Sequence, residues 1–190
     1  MPLDPRHIIK YAWVAVAALW FVMAFATKRT ARRMPRGALL QHILVLALSF
    51  DLLFADYFRV GVLRVRFVPE AEWLQWMGCA ATLAGIAFIV WARFTLGRNW
   101  SGTVEVKQEH TLVRRGPYAL VRHPIYSGLS FGLLGTAVIC GEVRCLLGAL
   151  LAFFEWKRKS LIEERFMIEQ FGRDYVEYRR EVKALIPFVW

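Results

Sequence analysis

Long apolar runs constrain the fold of this chain more than any other feature. Three of them are long enough to cross about 30 Å of hydrocarbon as helices. Two shorter runs flank the dipeptide Gly141–Glu142 and predict a helical hairpin whose second member is tilted or incomplete as a span. The five runs are residues 8–26, 39–58, 73–92, 125–140 and 145–156.

These runs predict an all-α integral membrane protein with about five transmembrane helices. We expect a single membrane domain over residues 1–190, with three spans in residues 1–92 and a second part, residues 93–190, that contains the hairpin at 125–156. The composition supports a membrane protein, because 57% of the residues are hydrophobic. A soluble protein of this size would have to expose much of this apolar surface to water. The net charge of +10 is compatible with nucleic-acid binding, but uninterrupted apolar runs argue against that partner.

The basic residues indicate the orientation. Of the 25 Lys and Arg residues, 19 lie in residues 28–36, 93–122 or after 156, and six lie on the other side of the predicted membrane. The positive-inside rule then places the N-terminus outside and residues 93–124 and 157–190 in the cytoplasm. We expect a multi-pass protein of a bacterial or archaeal inner membrane rather than of the endoplasmic reticulum.

The three cysteines exclude a disulfide scaffold. Cys79 lies in an apolar run and is interpreted as an inert small hydrophobe. Cys140 and Cys145 bracket the turn of the hairpin, where they either pair in an oxidising compartment or stay as two free thiols.

Two segments, residues 97–126 and 157–190, are not explained by membrane insertion. Both are predicted to lie on the cytoplasmic side, where a polar cofactor arrives from the cytosol and a lipid from the bilayer. Pro117 and Pro124 disfavour helix in the residues before them, so a shaped turn with free backbone amides should precede the fourth span. Tyr118 either lines a pocket there or belongs to an interfacial aromatic belt.

In the charged tail, Lys159 and Glu163 are four residues apart and share a helix face. They form either a surface ion pair or a ligand site at the membrane surface. His110 and His123 have no Cys or carboxylate partner at metal-ligand spacing, so no metal is expected.

A set of motifs in the second half of the chain resembles the isoprenylcysteine carboxyl methyltransferase family, which is related to membrane phospholipid N-methyltransferases. The resemblance covers roughly residues 97–188. The motifs, in order, are Asn99-Trp100, His110 to Val113, Gly116-Pro117-Tyr118, Arg122 to Gly128, Glu163-Glu164, Phe171-Gly172, Tyr175, Tyr178 and Pro187.

The resemblance implies an enzyme that uses S-adenosyl-L-methionine, with its cofactor site built on the cytoplasmic side from the loop before the hairpin and the C-terminal helical segment. The family places an Arg four residues before the Glu to orient the substrate carboxylate. Here Lys159 occupies that position, and Arg158 is next to it. Lys supplies a positive charge but cannot form the two parallel hydrogen bonds that an Arg guanidinium makes with a carboxylate. The implied cofactor contacts are Glu105, His110, Thr111, Leu112, Val113, Tyr118, His123, Pro124, Ile125, Tyr126 and Glu163.

The expected reaction is methyl transfer to a lipophilic acceptor, with a carboxylate as the first candidate and a lipid amine or thiol as others. Expected partners are a lipophilic small molecule or lipid-modified substrate and membrane lipids. Two alternatives remain open at this point. One is a membrane reductase of sterol-reductase type that uses NADPH. The other is a membrane scaffold or transporter, with Asp51 and Asp56 lining a path.

Overall fold

The computed structural model describes residues 4–24, 30–33, 35–97, 105–107, 112–187 and 189. In these residues the chain forms six α-helices and one pair of short strands. In chain order they are α1 (Pro5–Ala24), β1 (Thr30–Arg33), α2 (Arg36–Phe54), α3 (Glu72–Leu96), β2 (Glu105–Lys107), α4 (Pro124–Cys140), α5 (Val143–Phe171) and α6 (Arg173–Glu181).

The helices α1 to α5 alternate in direction. Arg93, near the end of α3, donates a hydrogen bond of 3.2 Å to the carbonyl of Met23 near the end of α1, so these two helices are parallel. Arg144, at the start of α5, donates to the carbonyl of Leu52 at the end of α2 at 3.0 Å, so α5 is antiparallel to α2. The bundle therefore has two ends. We call the one with the Gly141–Glu142 turn the hairpin end and the other the polar end.

Glycines allow α3 and α4 to pack closely. A Cβ on Gly85 would lie 2.6 Å from the carbonyl oxygen of Gly128, and a Cβ on Gly135 would lie 2.7 Å from that of Gly78. The hydroxyl of Thr82 donates across the same interface to the carbonyl of Gly132 at 3.1 Å. Small residues with interhelical hydrogen bonds are typical of helices that pack within lipid. This contact fixes the start of α4 relative to α3.

Three helices, α1 to α3, are long and apolar enough to cross a membrane among the residues described here. The apolar helix α4 is shorter, with 17 residues. The expectation of an integral membrane protein built from helices is thus supported, whereas the count of five spans stays a prediction.

The fifth apolar run ends at residue 156, but the helix that contains it continues further. Helix α5 has 29 residues, about 43 Å, and continues through the charged segment 157–164 to Phe171. Lys, Arg and Glu are good helix formers, so the loss of apolar character at Lys157 does not end the helix. It ends at Gly172, whose φ of +55° favours glycine.

Two smaller differences from the sequence-based expectation concern local structure. The strands β1 and β2 pair antiparallel at the polar end, whereas only helices were expected. Helix α2 ends at Phe54 rather than at residue 58, because Asp56–Phe58 forms a separate 3-10 turn.

The hairpin turn contains a disulfide. Cys140 and Cys145 are bonded to each other, with their Cα atoms 6.4 Å apart, and Gly141 between them adopts a φ of +75°. Of the two arrangements left open by the sequence, the structure has the paired one. Cys79 is a buried free thiol.

Candidate active site

The loop before α4 meets the C-terminal tail at the polar end. The backbone amides of Arg122 and His123 donate to the carbonyls of Lys183 and Ala184 at 2.8 and 3.0 Å. The hydroxyl of Ser127, in the first turn of α4, donates to the carbonyl of Leu185 at 2.6 Å. The described parts of the two segments that membrane insertion leaves unexplained are therefore in contact.

His123, Tyr126 and Glu163 form a compact cluster where α4 begins. The Tyr126 hydroxyl donates to Glu163 Oε1 at 2.5 Å, and His123 Nδ1 lies 3.4 Å from Glu163 Oε2. The His123 and Tyr126 rings stack at 5.7 Å between centroids. Burial alone would lower the pKa of His123, but hydrogen bonds to Glu163 and Glu164 outweigh it and raise that pKa. The imidazolium form is thereby favoured.

Glu164 is held by cations on three sides. Arg122 donates two hydrogen bonds to its Oε1 at 2.9 and 2.6 Å, and Arg179 Nε lies 3.2 Å from its Oε2. His123 Nε2 is 3.3 Å from Oε1. Burial would raise the pKa of Glu164, but the bonds to His123 and Arg122 prevail and lower it to about 2. The ionised Glu164 therefore has a structural role: it connects α5 to the loop before α4 and to α6.

The neighbouring Glu163 has a different environment. Its side chain is 22% exposed, against 5% for Glu164. Burial opposes its ionisation, but the hydrogen bond to His123 and the charge of Lys159 lower its pKa overall. Glu163 is thus an anion that keeps part of its surface available to a ligand.

Lys159 completes the cluster on the apolar side. Its Nζ lies 5.5 Å from the centroid of the Tyr126 ring, within cation–π range, and that ring stacks in turn on Trp156 at 6.5 Å. The residue is 5% exposed, and burial lowers the pKa of its ammonium despite attraction to Glu163 and Glu155. A cation is therefore held one helical turn from Glu163, against aromatic surface.

Arg158 points away from this cluster. It donates two hydrogen bonds to Glu155 at 2.9 and 2.6 Å and one to the carbonyl of Ala38 in α2 at 3.2 Å. His42 Nδ1 is 2.8 Å from the same Glu155 carboxylate. The structure therefore separates the two adjacent cations, because Lys159 faces the cluster and Arg158 joins α5 to α2.

Most of the remaining predicted site residues lie in the part of the chain that the structure describes. Tyr118 and Pro124 are buried, and the Tyr118 carbonyl accepts a hydrogen bond from the Tyr178 hydroxyl. Burial raises the pKa of Tyr178 to about 12. Leu112, Val113 and Ile125 are half-buried, Glu105 is described by its backbone in β2, and His110 and Thr111 lie outside the described residues.

Sequence reasoning left Arg122, Glu164 and Arg179 out of the predicted site. The first two were visible as part of the motifs, but Arg179 comes from α6 and only the tertiary structure brings it to Glu164. Glu155 has a clearer signal in the sequence, because a carboxylate inside an apolar run indicates a polar partner, which in the structure is His42.

The fold and this cluster define a class of membrane protein. A model of the phospholipid methyltransferase family matches residues 73–174, which include all but the first residue of α3, the whole of α4 and α5, and His123, Tyr126, Lys159 and Glu163. The chain belongs to this family.

Within it, the most similar relatives include protein-S-isoprenylcysteine O-methyltransferases. The protein from Xenopus laevis is 35% identical over 64% of this chain, and protein B from Arabidopsis thaliana is 31% identical over 62%. A probable protein-S-isoprenylcysteine O-methyltransferase from Oryza sativa subsp. japonica is 28% identical over 94% of this chain and 96% of its own length. The resemblance found in the sequence motifs is thereby confirmed.

This chain matches only part of the length of the first two of these relatives. The matched parts span 43% of the Xenopus protein and 61% of the Arabidopsis protein. A solved eukaryotic intramembrane Ras methyltransferase, isoprenylcysteine carboxyl methyltransferase, aligns with a TM-score of 0.68, covering 100% of this chain and 70% of that one. At 23% identity this likeness concerns the fold.

Proposed function

We propose that this chain is an integral membrane methyltransferase that uses S-adenosyl-L-methionine and methylates a lipophilic acceptor, with a prenylated carboxylate as the first candidate. The observation that carries the proposal is the buried cluster of His123, Tyr126 and Glu163, because it lies in the family-matched segment at the ends of apolar helices. The names of the relatives support the same reaction.

The described residues fit the cofactor's chemistry. S-adenosyl-L-methionine carries two cationic groups, a carboxylate and a planar base, and supplies an electrophilic methyl group when bound. The ionised and partly exposed Glu163 suits a cationic group, whereas Glu164 is already surrounded by cations. Tyr118 and the half-buried Leu112 and Val113 belong to the loop that we assign to the cofactor.

The protein residues then act by charge and position. His123 keeps Glu163 ionised, and the hydrogen bond from Tyr126 restricts the rotamer of that carboxylate. Lys159 supplies a buried positive charge for an acceptor carboxylate. Such an acceptor is ionised at neutral pH and needs no general base. Holding the two reactants in line at about 3–3.5 Å then accounts for much of the acceleration.

The acidic residues of the transporter alternative do not support a path through the bundle. Asp51 and Asp56 are exposed near the hairpin end, away from the His123 cluster. The reductase alternative is tested directly by comparing ligands.

We further propose that the polar end, which contains the cluster, faces the cytoplasm. The 19 to 6 division of basic residues supports this orientation.

Ligand binding and turnover test the proposal together. Calorimetry of the purified protein in detergent should detect S-adenosylhomocysteine and not NADPH, and His123→Ala and Tyr126→Phe should weaken that binding. Transfer of labelled methyl from the cofactor to a prenylated cysteine should be lost in Lys159→Met, retained in Lys159→Arg and unchanged in the control Arg165→Met. NADPH binding without S-adenosylhomocysteine binding would overturn the proposed cofactor.

A further inference from the structure

A cavity lies beside the His123 cluster. It has a volume of about 290 Å³ and is formed by the loop before α4, by α5, by α6 and by the tail. Arg122 and Glu164 line it, whereas His123, Tyr126 and Glu163 do not. We call it the tail groove. It is distinct from the proposed cofactor site, because its lining includes Glu164 but none of the residues that we assign to the cofactor.

The tail groove carries excess positive charge. Among the described residues that line it, Arg122, Lys157, Arg179 and Lys183 are positive and Glu164 is the one carboxylate, which is four positive charges against one negative. Both arginines are directed at that carboxylate, at 2.6 and 3.2 Å. Glu164 is therefore engaged by both arginines and leaves the Lys183 ammonium to be complemented by an anionic ligand.

Lys183 is the cation best placed for such a ligand. Its side chain is exposed, and within the described part of the chain its ammonium has no hydrogen bond or ion pair. Its backbone carbonyl accepts the amide of Arg122, so the residue is fixed at the groove while its side chain remains available.

The groove also has an apolar rim at the predicted membrane surface. Leu161 is 53% exposed and Val189 is 73% exposed, and both line the groove beside the cations. Lys157 directly follows Trp156, where the apolar part of α5 ends. Cations next to exposed apolar side chains at this depth match a ligand that has an anionic head and hydrocarbon chains.

We propose that the tail groove binds the headgroup of an anionic phospholipid. The phosphate lies at Lys157 and Lys183, and the acyl chains pass over Leu161 and Val189 toward the bilayer. Because the groove contacts α5, α6 and the tail at once, the bound lipid fastens the tail against the loop before α4. This proposal is independent of the reaction that the neighbouring cluster performs.

Native mass spectrometry of the full-length protein in detergent tests the proposal. The protein is titrated with dioctanoyl phosphatidylglycerol, dioctanoyl phosphatidylcholine or inorganic phosphate. The double variant Lys157→Gln with Lys183→Gln is compared with Arg173→Gln with Arg180→Gln, which removes equal charge from exposed positions outside the groove.

We expect phosphatidylglycerol to bind the wild-type protein more tightly than phosphatidylcholine. The groove double variant should lose about 30-fold in affinity for phosphatidylglycerol, since each basic residue beside an anionic lipid contributes about fivefold. The control double variant should bind like the wild type. If the groove double variant does not fold, Lys183→Gln alone should show the fivefold loss.

Three results would overturn the proposal. Equal affinity for the two lipids would exclude headgroup recognition. Equal losses in the two double variants would indicate diffuse surface charge rather than a groove. Inorganic phosphate that binds as tightly as phosphatidylglycerol would identify a site for a soluble anion.

Discussion

Glu163 and Glu164 are adjacent in sequence, but we expect substitution by Gln to affect different properties at the two positions: ligand affinity at Glu163 and stability of the fold at Glu164. Glu164→Gln removes the anion that joins Arg122, Arg179 and His123, so it should destabilise the fold. Glu163→Gln leaves an oxygen that can still accept the Tyr126 hydroxyl, so it should affect ligand binding more than stability.

The magnitudes follow from the two environments. The pKa of Glu164 falls from its usual 4.5 to about 2. That shift corresponds to about 3 kcal/mol, and breaking a buried ion pair costs a similar amount. We expect Glu164→Gln to cost about 2–3 kcal/mol, or about 5–10 °C in Tm. Loss of a charge-assisted bond from Glu163 to the ligand should raise the Kd about 10- to 100-fold.

The pH dependence provides a second measurement of Glu164. Its pKa is lower in the folded protein than in the unfolded chain, so its stabilising contribution is present above about pH 4.5. The contribution is lost as the pH falls from there toward about 2. Thermal unfolding in detergent should therefore show a large difference between wild type and Glu164→Gln at pH 7, which shrinks as the buffer is acidified.

Both variants are measured for Tm and for S-adenosylhomocysteine affinity by calorimetry. Equal changes in both quantities for the two variants would refute the division of roles between the carboxylates. A stable Glu164→Gln protein that loses ligand binding would reverse the assignment.

Two further predictions concern the bundle. Gly85→Ala should destabilise the protein by about 1–3 kcal/mol because its Cβ would lie 2.6 Å from the Gly128 carbonyl, whereas Gly37→Ala, with no atom within 4 Å, should keep the wild-type Tm. A cysteine at Gln170 should react with an impermeant maleimide from the cytoplasmic side and one at Val62 from the other, and the reverse pattern would overturn the proposed orientation.

The helical framework was predictable because its signal is local. Nineteen or more residues of apolar sequence indicate α1, α2 and α3 without reference to any other part of the chain. The turn at Gly141 was equally visible as a glycine between two apolar runs. The end of α5 was not visible in the apolar pattern, because apolar character reports burial in lipid and does not mark the end of a helix. Only the helical spacing of Lys159 and Glu163 indicated helix beyond residue 156.

The pairing of side chains was less accessible to sequence reasoning. The spacing of Lys159 and Glu163 predicts a shared helix face, and both lie at the cluster. No spacing rule separates Lys159 from Arg158, since either cation can face the loop until the position of α2 is known. Contact of Arg158 with Ala38, 120 residues away, decides between them.

Helical geometry explains how one segment serves both the candidate site and the fold. Successive residues on a helix differ by about 100° in direction, so residues four apart align and adjacent residues diverge. Glu155, Lys159 and Glu163 follow the four-residue spacing and place an alternating row of charges along α5. Glu164 turns away from that row toward Arg122 and Arg179. The same consecutive carboxylates can therefore offer one anion to a ligand and use the other to hold the loop and the tail in place.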